Sequence, residues 1–223
     1  MKKVYSIVLA AALMLLGLQA TAQIVPGAGY IYSSEKIKGV DGTTPYHGFF
    51  IGASYNIHLV AGLGVAPGLY ASFLTHKENE ARGSSKLGYN VNYYLREFAI
   101  NLPVNFNYVI ELGHDKSIFA YAGPVFQLGI TNTTSINGSS SAGGINLSDG
   151  TSWDNYSKGY AGGYWPTTSY PNRFNIYLGG GLGLQIGDIL IHVGYDRSLM
   201  NIDRETNDVI SRGQLKIGFG LEF

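Results

Sequence analysis

The sequence predicts an all-β fold: an eight-stranded antiparallel up-and-down transmembrane β-barrel that follows a cleaved signal peptide. Three observations lead to it, namely an alternating carboxyl end, a leader-like amino end and a low content of charged residues. Over residues 214–223 every second position is apolar and the last residue is aromatic: Leu215, Ile217, Phe219, Leu221 and Phe223. A strand with one face in lipid has this pattern, and barrels of the bacterial outer membrane repeat it on each strand.

The same ending resembles the signal that the bacterial barrel-assembly machinery reads. We assign that signal to Phe219, Leu221 and Phe223. The assembly machinery and the lipids of the outer membrane are therefore expected partners of this chain.

The first residues have the features of a signal peptide. Lys2 and Lys3 precede an apolar run over residues 7–18, and Ala20-Thr21-Ala22 supplies the small residues of a signal peptidase site. The run is shorter than the ~20 apolar residues of a membrane-spanning helix. We expect cleavage after Ala22, which leaves a signal peptide (1–22) and an outer-membrane β-barrel domain (23–223). The chain has no cysteine, so neither a lipoprotein anchor nor a disulfide is expected.

Composition favours one membrane domain and argues against nucleic-acid binding. Charged residues make up 13% of the chain, about half of the usual ~25%. The formal net charge is zero, and no basic stripe supplies the attraction that nucleic acid requires. After the leader no apolar run is long enough for a spanning helix. Such a chain can cross a membrane only as a closed barrel, because lipid cannot satisfy the edges of an open sheet.

Eight segments have the period-two pattern of strands. They cover residues 24–32, 47–56, 59–74, 94–108, 118–130, 173–186, 189–198 and 210–223. Short connections alternate with long ones: the short ones are 57–58, 110–117 and 187–188, and the long ones are 33–46, 75–93, 131–172 and 199–209. In outer-membrane barrels the short turns and both termini lie in the periplasm, and the long loops are extracellular. The last segment is expected to close the barrel by pairing with the first.

Alternation along the strands also assigns a polar network to the lumen. Glu97, Arg173, Asp196 and Arg212 are expected in its extracellular half, and His192 and Lys216 are expected lower down. An unpaired charge in a narrow lumen costs several kcal/mol, so these acids and bases should pair. The favoured interpretation is a structural network that plugs the barrel. A gated pore, in which the same pairs exchange partners, is the alternative.

No catalytic, cofactor-binding or metal site is expected. A serine hydrolase needs a serine beside its histidine, but the position two residues after His192 is Gly194, and Ser198 lies too far along the strand. The other histidines, His47, His58, His76 and His114, show no metal-ligand spacing. We therefore expect a protein that is not an enzyme.

The longest connection, residues 131–172, carries aromatic residues that are not explained by the aromatic girdles of a barrel. They are Trp153, Tyr156, Tyr160, Tyr164 and Trp165. Aromatic side chains stack on sugar faces and anchor protein contacts. One hypothesis is therefore adhesion to surface glycans or host proteins through this loop.

Three pieces of the chain resemble the PorT-like outer-membrane β-barrel domain family of Bacteroidota. Residues 94–104 (YLREFAINLPV) resemble that family's strand with leucine, glutamate, an aliphatic residue and proline; residues 120–124 (AYAGP) and 194–202 (GYDRSLMNI) resemble two further recurring pieces. The resemblance covers essentially the whole mature chain, whose size is also similar to the OmpA transmembrane domain and OmpX. It implies an outer-membrane barrel and carries no catalytic residues.

We therefore expect a monomer in the outer membrane of a Gram-negative bacterium, with a structural or surface-interacting role through its long extracellular loops. A small-solute channel is the alternative, and it needs a continuous water path that eight strands rarely leave.

Overall fold

A computed structural model describes residues 22–39, 41–84, 87–140, 151–156, 171–202 and 209–222. Three expected sites lie at least partly outside these ranges. They are residues 1–21 of the signal peptide, Phe223 of the assembly signal, and the loop aromatics Tyr160, Tyr164 and Trp165.

The described chain forms nine β-strands, eight of which close into a barrel. They are β1 (Ala22–Ile37), β2 (Thr44–Val60), β3 (Leu63–Ser84), β4 (Leu87–Glu111), β5 (Lys116–Ser140), β6 (Thr151–Asp154), β7 (Phe174–Ile186), β8 (Ile189–Ser198) and β9 (Ile210–Leu221). The strand order is β4-β3-β2-β1-β9-β8-β7-β5, and the pairing of β4 with β5 closes the ring. Short β6 pairs with the far end of β5 and is not a barrel strand. The predicted eight-stranded antiparallel barrel is confirmed.

Closure depends on the pairing of the first and last strands. β1 and β9 are antiparallel neighbours over a register that runs from Gly27↔Gly220 to Ile37↔Ile210. Because the ring is complete, every barrel strand pairs with a neighbour on each side, and this is the condition for placing a sheet in lipid.

The first short turn lies further along the chain than the prediction of residues 57–58. β2 continues to Val60, with a register shift between His58 and Val60, and the turn is formed by Ala61 and Gly62. Both turn residues have positive φ, 51° and 79°, which is the geometry of a tight two-residue hairpin. Alternation placed the turn too early because a bulge interrupts the period of two.

Three of the four connections predicted as long loops contain strand. β3 and β4 remain paired without interruption from Tyr70↔Asn101 to Ser84↔Leu87, so most of residues 75–93 is a hairpin. β1 extends to Ile37, and β5 extends to Ser140. Beyond the membrane both faces of a strand meet water, so the chain keeps its backbone pairing but loses the apolar alternation from which strands were predicted.

The polarity of the barrel is inverted relative to that of a soluble protein. Large apolar side chains are exposed on the outer face of every barrel strand, for example Ile24, Phe49, Leu69, Phe106, Phe126, Leu182, Ile191 and Phe219. The buried interior is largely polar and includes Ser33, Asn56, Ser72, Glu97, Asn101, Gln127, Asn175, Asp196, Arg212, Gln214 and Glu222. An apolar exterior around a polar interior is the arrangement of a membrane-spanning β-barrel.

A small apolar cluster shares the lumen with these polar residues. Ile31, Tyr46, Phe50 and Leu74 are buried together, with Tyr70 and Leu95 packed against them. The described residues contain no helix that is long and apolar enough to cross a membrane.

Candidate functional site in the barrel lumen

One guanidinium joins two carboxylates across the lumen. Arg212 on β9 is 3% exposed. Its Nη1 and Nη2 donate to the two carboxylate oxygens of Glu97 on β4, at 2.8 and 2.9 Å. Its Nε donates to Oε1 of Glu35 on β1 at 2.9 Å, and Nη2 donates to the same oxygen. We call Glu35, Glu97 and Arg212, with Tyr46 and Tyr177, the Arg212 layer.

Further hydrogen bonds orient the carboxylates of the layer. The Tyr46 hydroxyl donates to Oε2 of Glu35 at 3.1 Å, and Nδ2 of Asn132 donates to Oε2 of Glu97 at 3.5 Å. The Arg212 guanidinium carbon lies 5.4 Å from the centre of the Tyr46 ring. Since every carboxylate oxygen has a donor, the desolvation of these charges is offset by directed contacts.

Glu35 is the member of the layer that the sequence prediction missed. The predicted first strand ended at Tyr32, which left Glu35 in a loop. In the structure β1 continues to Ile37, and Glu35 lies opposite Arg212 in the β1–β9 register. The signal was present in the chain, because Glu35 has the same parity as the buried residues Ile31 and Ser33.

A second ionic pair lies on β8 and β9 with a histidine beside it. Lys216 Nζ lies 2.5 Å from Oδ2 of Asp196. His192 Nδ1 lies 3.2 Å from the Tyr121 hydroxyl, so the ring is paired with a phenol. The structure thus brings Asp196 and Lys216 together, and separately Glu97 and Arg212.

A third polar group lies nearer the short turns and is centred on Glu222. Its carboxylate accepts hydrogen bonds from Asn56 at 3.1 Å and from Gln185 at 2.5 Å. Asn107 in turn donates to the side-chain oxygen of Asn56 at 2.7 Å. The lumen is therefore crossed at two levels by hydrogen-bonded side chains.

A cavity of about 160 Å³ lies inside the barrel. Its lining includes Phe50, Tyr70, Tyr121, His192 and Lys216, and none of the three charged members of the Arg212 layer. The cavity is large enough to admit water, for which its polar groups offer partners. In the strand register, the Arg212 layer lies between the lining of this cavity and the mouth of the barrel.

Arg173 does not join the lumen network, and the expectation that it does was wrong. Its side chain is 51% exposed and lies 3.8 Å from Asp154. Its guanidinium stacks over Tyr156, 4.7 Å from the ring centre, and donates to the carbonyl of Ile130 at 3.3 Å. Arg173 comes just before the first residue of β7. Its side chain therefore lies at the mouth of the barrel, above the lumen.

Residues 151–156 lie at the rim of this mouth, beside the part of β5 that extends past β7. β6 pairs with residues 133–136 of β5. Beyond it, Nδ2 of Asn155 donates to Asn132 at 2.7 Å and to Thr134 at 2.9 Å. We call residues 151–156 the β6 lid. Its polar contacts are made to β5 residues that lie just above the Arg212 layer.

Tyr156 is the part of the lid that enters the barrel. A Cβ built on Gly129 would lie 1.9 Å from the Tyr156 hydroxyl, so the phenol occupies the space that the glycine leaves. Burial raises the pKa of the Tyr156 phenol, and the negative charge of Glu97 raises it further. Tyr156, one of the aromatic residues that the sequence offered for loop recognition, is therefore packed in the mouth. Of the other loop aromatics, Trp153 lies on β6 opposite Thr134.

Within the described ranges, no group of three or more His, Asp or Glu side chains is placed to hold a metal ion.

Comparison with known proteins finds distant structural likeness only. No protein-family model matches the chain, and no curated protein matches it. The solved structures that resemble it include Neisserial surface protein A, at 14% identity and a TM-score of 0.45, over 91% of this chain and 99% of that one. They also include Ail, the attachment invasion locus protein of Yersinia pestis, in complex with the heparin analogue sucrose octasulfate, at 14% identity and a TM-score of 0.43, with the same coverage. The closed sheet and its inverted polarity identify the chain as a membrane-spanning β-barrel of the outer-membrane type.

Proposed function

We propose that this protein is a monomeric outer-membrane barrel with a closed lumen, and that it has a structural or surface-interacting role through the hairpins on its long-loop side. The observation that carries the proposal is the Arg212 layer beneath the β6 lid. Buried carboxylates joined by the Arg212 guanidinium cross a lumen that eight strands already make narrow. No catalytic activity is part of the proposal.

The lengths of the connections suggest how the barrel is oriented in the membrane. The short turns near Gly62, Gly113 and Gly187 would face the periplasm with both termini, and the extended hairpins would face outward. In this proposal, residues 1–22 are removed as a signal peptide and the barrel-assembly machinery inserts the mature chain into the outer membrane. We also propose membership of the PorT-like family, which the pieces at 94–104, 120–124 and 194–202 support.

Electrical conductance of the refolded protein in a planar bilayer tests the closed lumen. We expect no channel steps, because the Arg212 layer lies between the internal cavity and the mouth. Steady channel openings by the unaltered protein would contradict the proposal and favour the alternative, a small-solute channel or gated pore.

A second function, adhesion to glycans or host proteins, is favoured by the way the long connection is held. The β6 lid holds residues 151–156 of this connection against β5. Tyr160, Tyr164 and Trp165 follow the lid in the sequence.

A deletion of residues 157–170 that keeps the lid is the sharpest test of adhesion. We expect loss of binding in a screen against immobilised glycans and matrix proteins, with folding retained. A deletion of residues 203–208 in the neighbouring connection is the matched control. Equal binding by the 157–170 deletion and the parent, or no binding by the parent, would dismiss adhesion.

A further inference from the structure

On the outer face of β3 and β4, aromatic side chains are followed by basic ones toward the long hairpin. In the register of these strands Phe73 lies opposite Phe98, and the next outward positions toward the long hairpin are Thr75 opposite Arg96 and Lys77 opposite Tyr94. Phe73 also packs against Phe49 of β2, with ring centres 5.7 Å apart. A lipid-facing aromatic surface is thus followed directly by cationic side chains.

The two cations are neighbours on one face. Arg96 and Lys77 occupy diagonal positions across the β3–β4 pair, and both are exposed. Lys77 Nζ lies 5.4 Å from the centre of the Tyr94 ring, so the lysine is held close to the barrel wall. Like charges at such positions repel one another, and an anion between them would relieve the repulsion.

The acids that adjoin these cations in the chain face the other way. Glu97 follows Arg96 but points into the lumen, where Arg212 holds it. Glu78 follows Lys77 but lies 3.9 Å from His76, which has the inward parity of Leu74. Among the side chains that the structure describes, no ion pair neutralises Arg96 or Lys77.

We propose that Arg96 and Lys77 bind the phosphate of an anionic lipid headgroup in the membrane leaflet on the long-hairpin side. The planar guanidinium of Arg96 can take two phosphate oxygens at once, and the ammonium of Lys77 adds a second positive charge. Phe98 and Phe73 lie below the pair, toward the membrane, so the acyl chains of the same lipid meet an aromatic surface. This continuity is why the site fits a lipid phosphate rather than a soluble anion.

Binding of a defined lipid to the full protein in nonionic detergent tests the site. The probe is phosphatidic acid with two six-carbon chains, and native mass spectrometry or a fluorescence titration reads its binding. Diacylglycerol with the same chains lacks the phosphate, and inorganic phosphate lacks the chains. We expect phosphatidic acid to bind more tightly than either of these.

The variant K77Q/R96Q removes both charges from an exposed surface. Each basic residue near a membrane surface contributes about fivefold to such binding, so we expect roughly a 25-fold loss. K116Q is the matched control, because Lys116 is an exposed lysine at the short-turn rim, and its binding should equal that of the parent. The single variant R96Q, with an expected loss of about fivefold, gives a second reading should the double variant fold poorly.

Three outcomes would overturn the proposal. They are equal binding of phosphatidic acid by K77Q/R96Q and the parent, equal binding of diacylglycerol and phosphatidic acid by the parent, and binding of inorganic phosphate as tight as that of the lipid.

Discussion

Arg212 stabilises the barrel by separating two carboxylates that would otherwise repel each other inside it. Glu35 and Glu97 come from β1 and β4, and each has a hydrogen bond to the guanidinium of 2.9 Å or less. A buried ion pair contributes little net stability compared with an apolar filling, but removing one partner leaves uncompensated charge. The loss of Arg212 would therefore leave both buried carboxylates without a counter-ion.

Arg212→Ala should strongly destabilise the folded barrel. We expect a loss on the order of 3–5 kcal/mol in the free energy of unfolding, because both carboxylates lose their buried counter-ion. Urea unfolding in lipid vesicles measures it. Arg197→Ala, which removes an exposed arginine of β8, should leave the midpoint unchanged, and equal midpoints for the two variants would argue against the Arg212 layer as a stabilising element.

The β6 lid shows how a short strand can depend on a single glycine. The four residues of strand β6 pair with β5. Tyr156, which follows them, enters the barrel only because Gly129 has no side chain. Arg173 then covers the phenol from outside. A glycine on the barrel wall thus decides whether the element after β5 packs over the mouth.

Gly129→Ala should release this lid while the barrel remains folded. The added methyl group would meet the Tyr156 hydroxyl, so the ring must leave the mouth, and we expect faster backbone hydrogen exchange over residues 151–156. Leu128→Ala, at an outward position on the same strand, is the control. Unchanged exchange in the Gly129 variant would show that the lid does not depend on this contact.

The paired extension of β3 and β4 should be dispensable for barrel stability. In the strand register, the pairs beyond Glu78↔Tyr93 lie further from the membrane than Lys77 and Glu97. Excising residues 79–92 and joining Glu78 to Tyr93 by an Asn-Gly turn, which favours tight hairpins, should leave the urea midpoint within experimental error. A lowered midpoint would mean that the hairpin supports the barrel.

At the scale of the whole molecule, stability depends on the solvent that each face meets. Leu182 on β7 is 65% exposed and Leu199, just beyond β8, is 63% exposed. In water these two leucines would be equivalent. In a bilayer they differ, because Leu182 lies in the middle of its strand whereas Leu199 follows the end of its own.

Leu182→Arg should therefore impair folding far more than Leu199→Arg. A cation at the middle of the lipid face costs about 2–4 kcal/mol, and near the interface about 0–1 kcal/mol. The folded fraction after dilution from urea into phosphatidylcholine vesicles measures both. Similar fractions for the two variants would contradict the placement of the outer face in lipid.

Much of this architecture can be inferred from local patterns, and the exceptions have physical causes. Residues 98–108 alternate because lipid lies on one side and a narrow lumen on the other. Glu35 was missed because β1 continues past the membrane, where the outer face of the strand no longer meets lipid and the apolar alternation ends. Arg173 was placed in the lumen because the alternation of residues along a strand shows which face a side chain is on, but not how far along the barrel axis it lies. The packing of Tyr156 against Gly129 was not predicted, because nothing near Tyr156 in the chain indicates Gly129.

The alternation of the chain was sufficient for the class of fold, the number of barrel strands and the inward direction of Glu97, Asp196 and Arg212, because these follow from a two-residue period that solvent imposes on each strand. Closure of the sheet settled which side chains meet. Arg212 and Glu35 are 177 residues apart in sequence, and Tyr156 reaches Gly129 over the rim of the barrel. Contacts of this kind depend on strand register and ring closure, which arise only when distant parts of the chain pair, and so no local pattern encodes them.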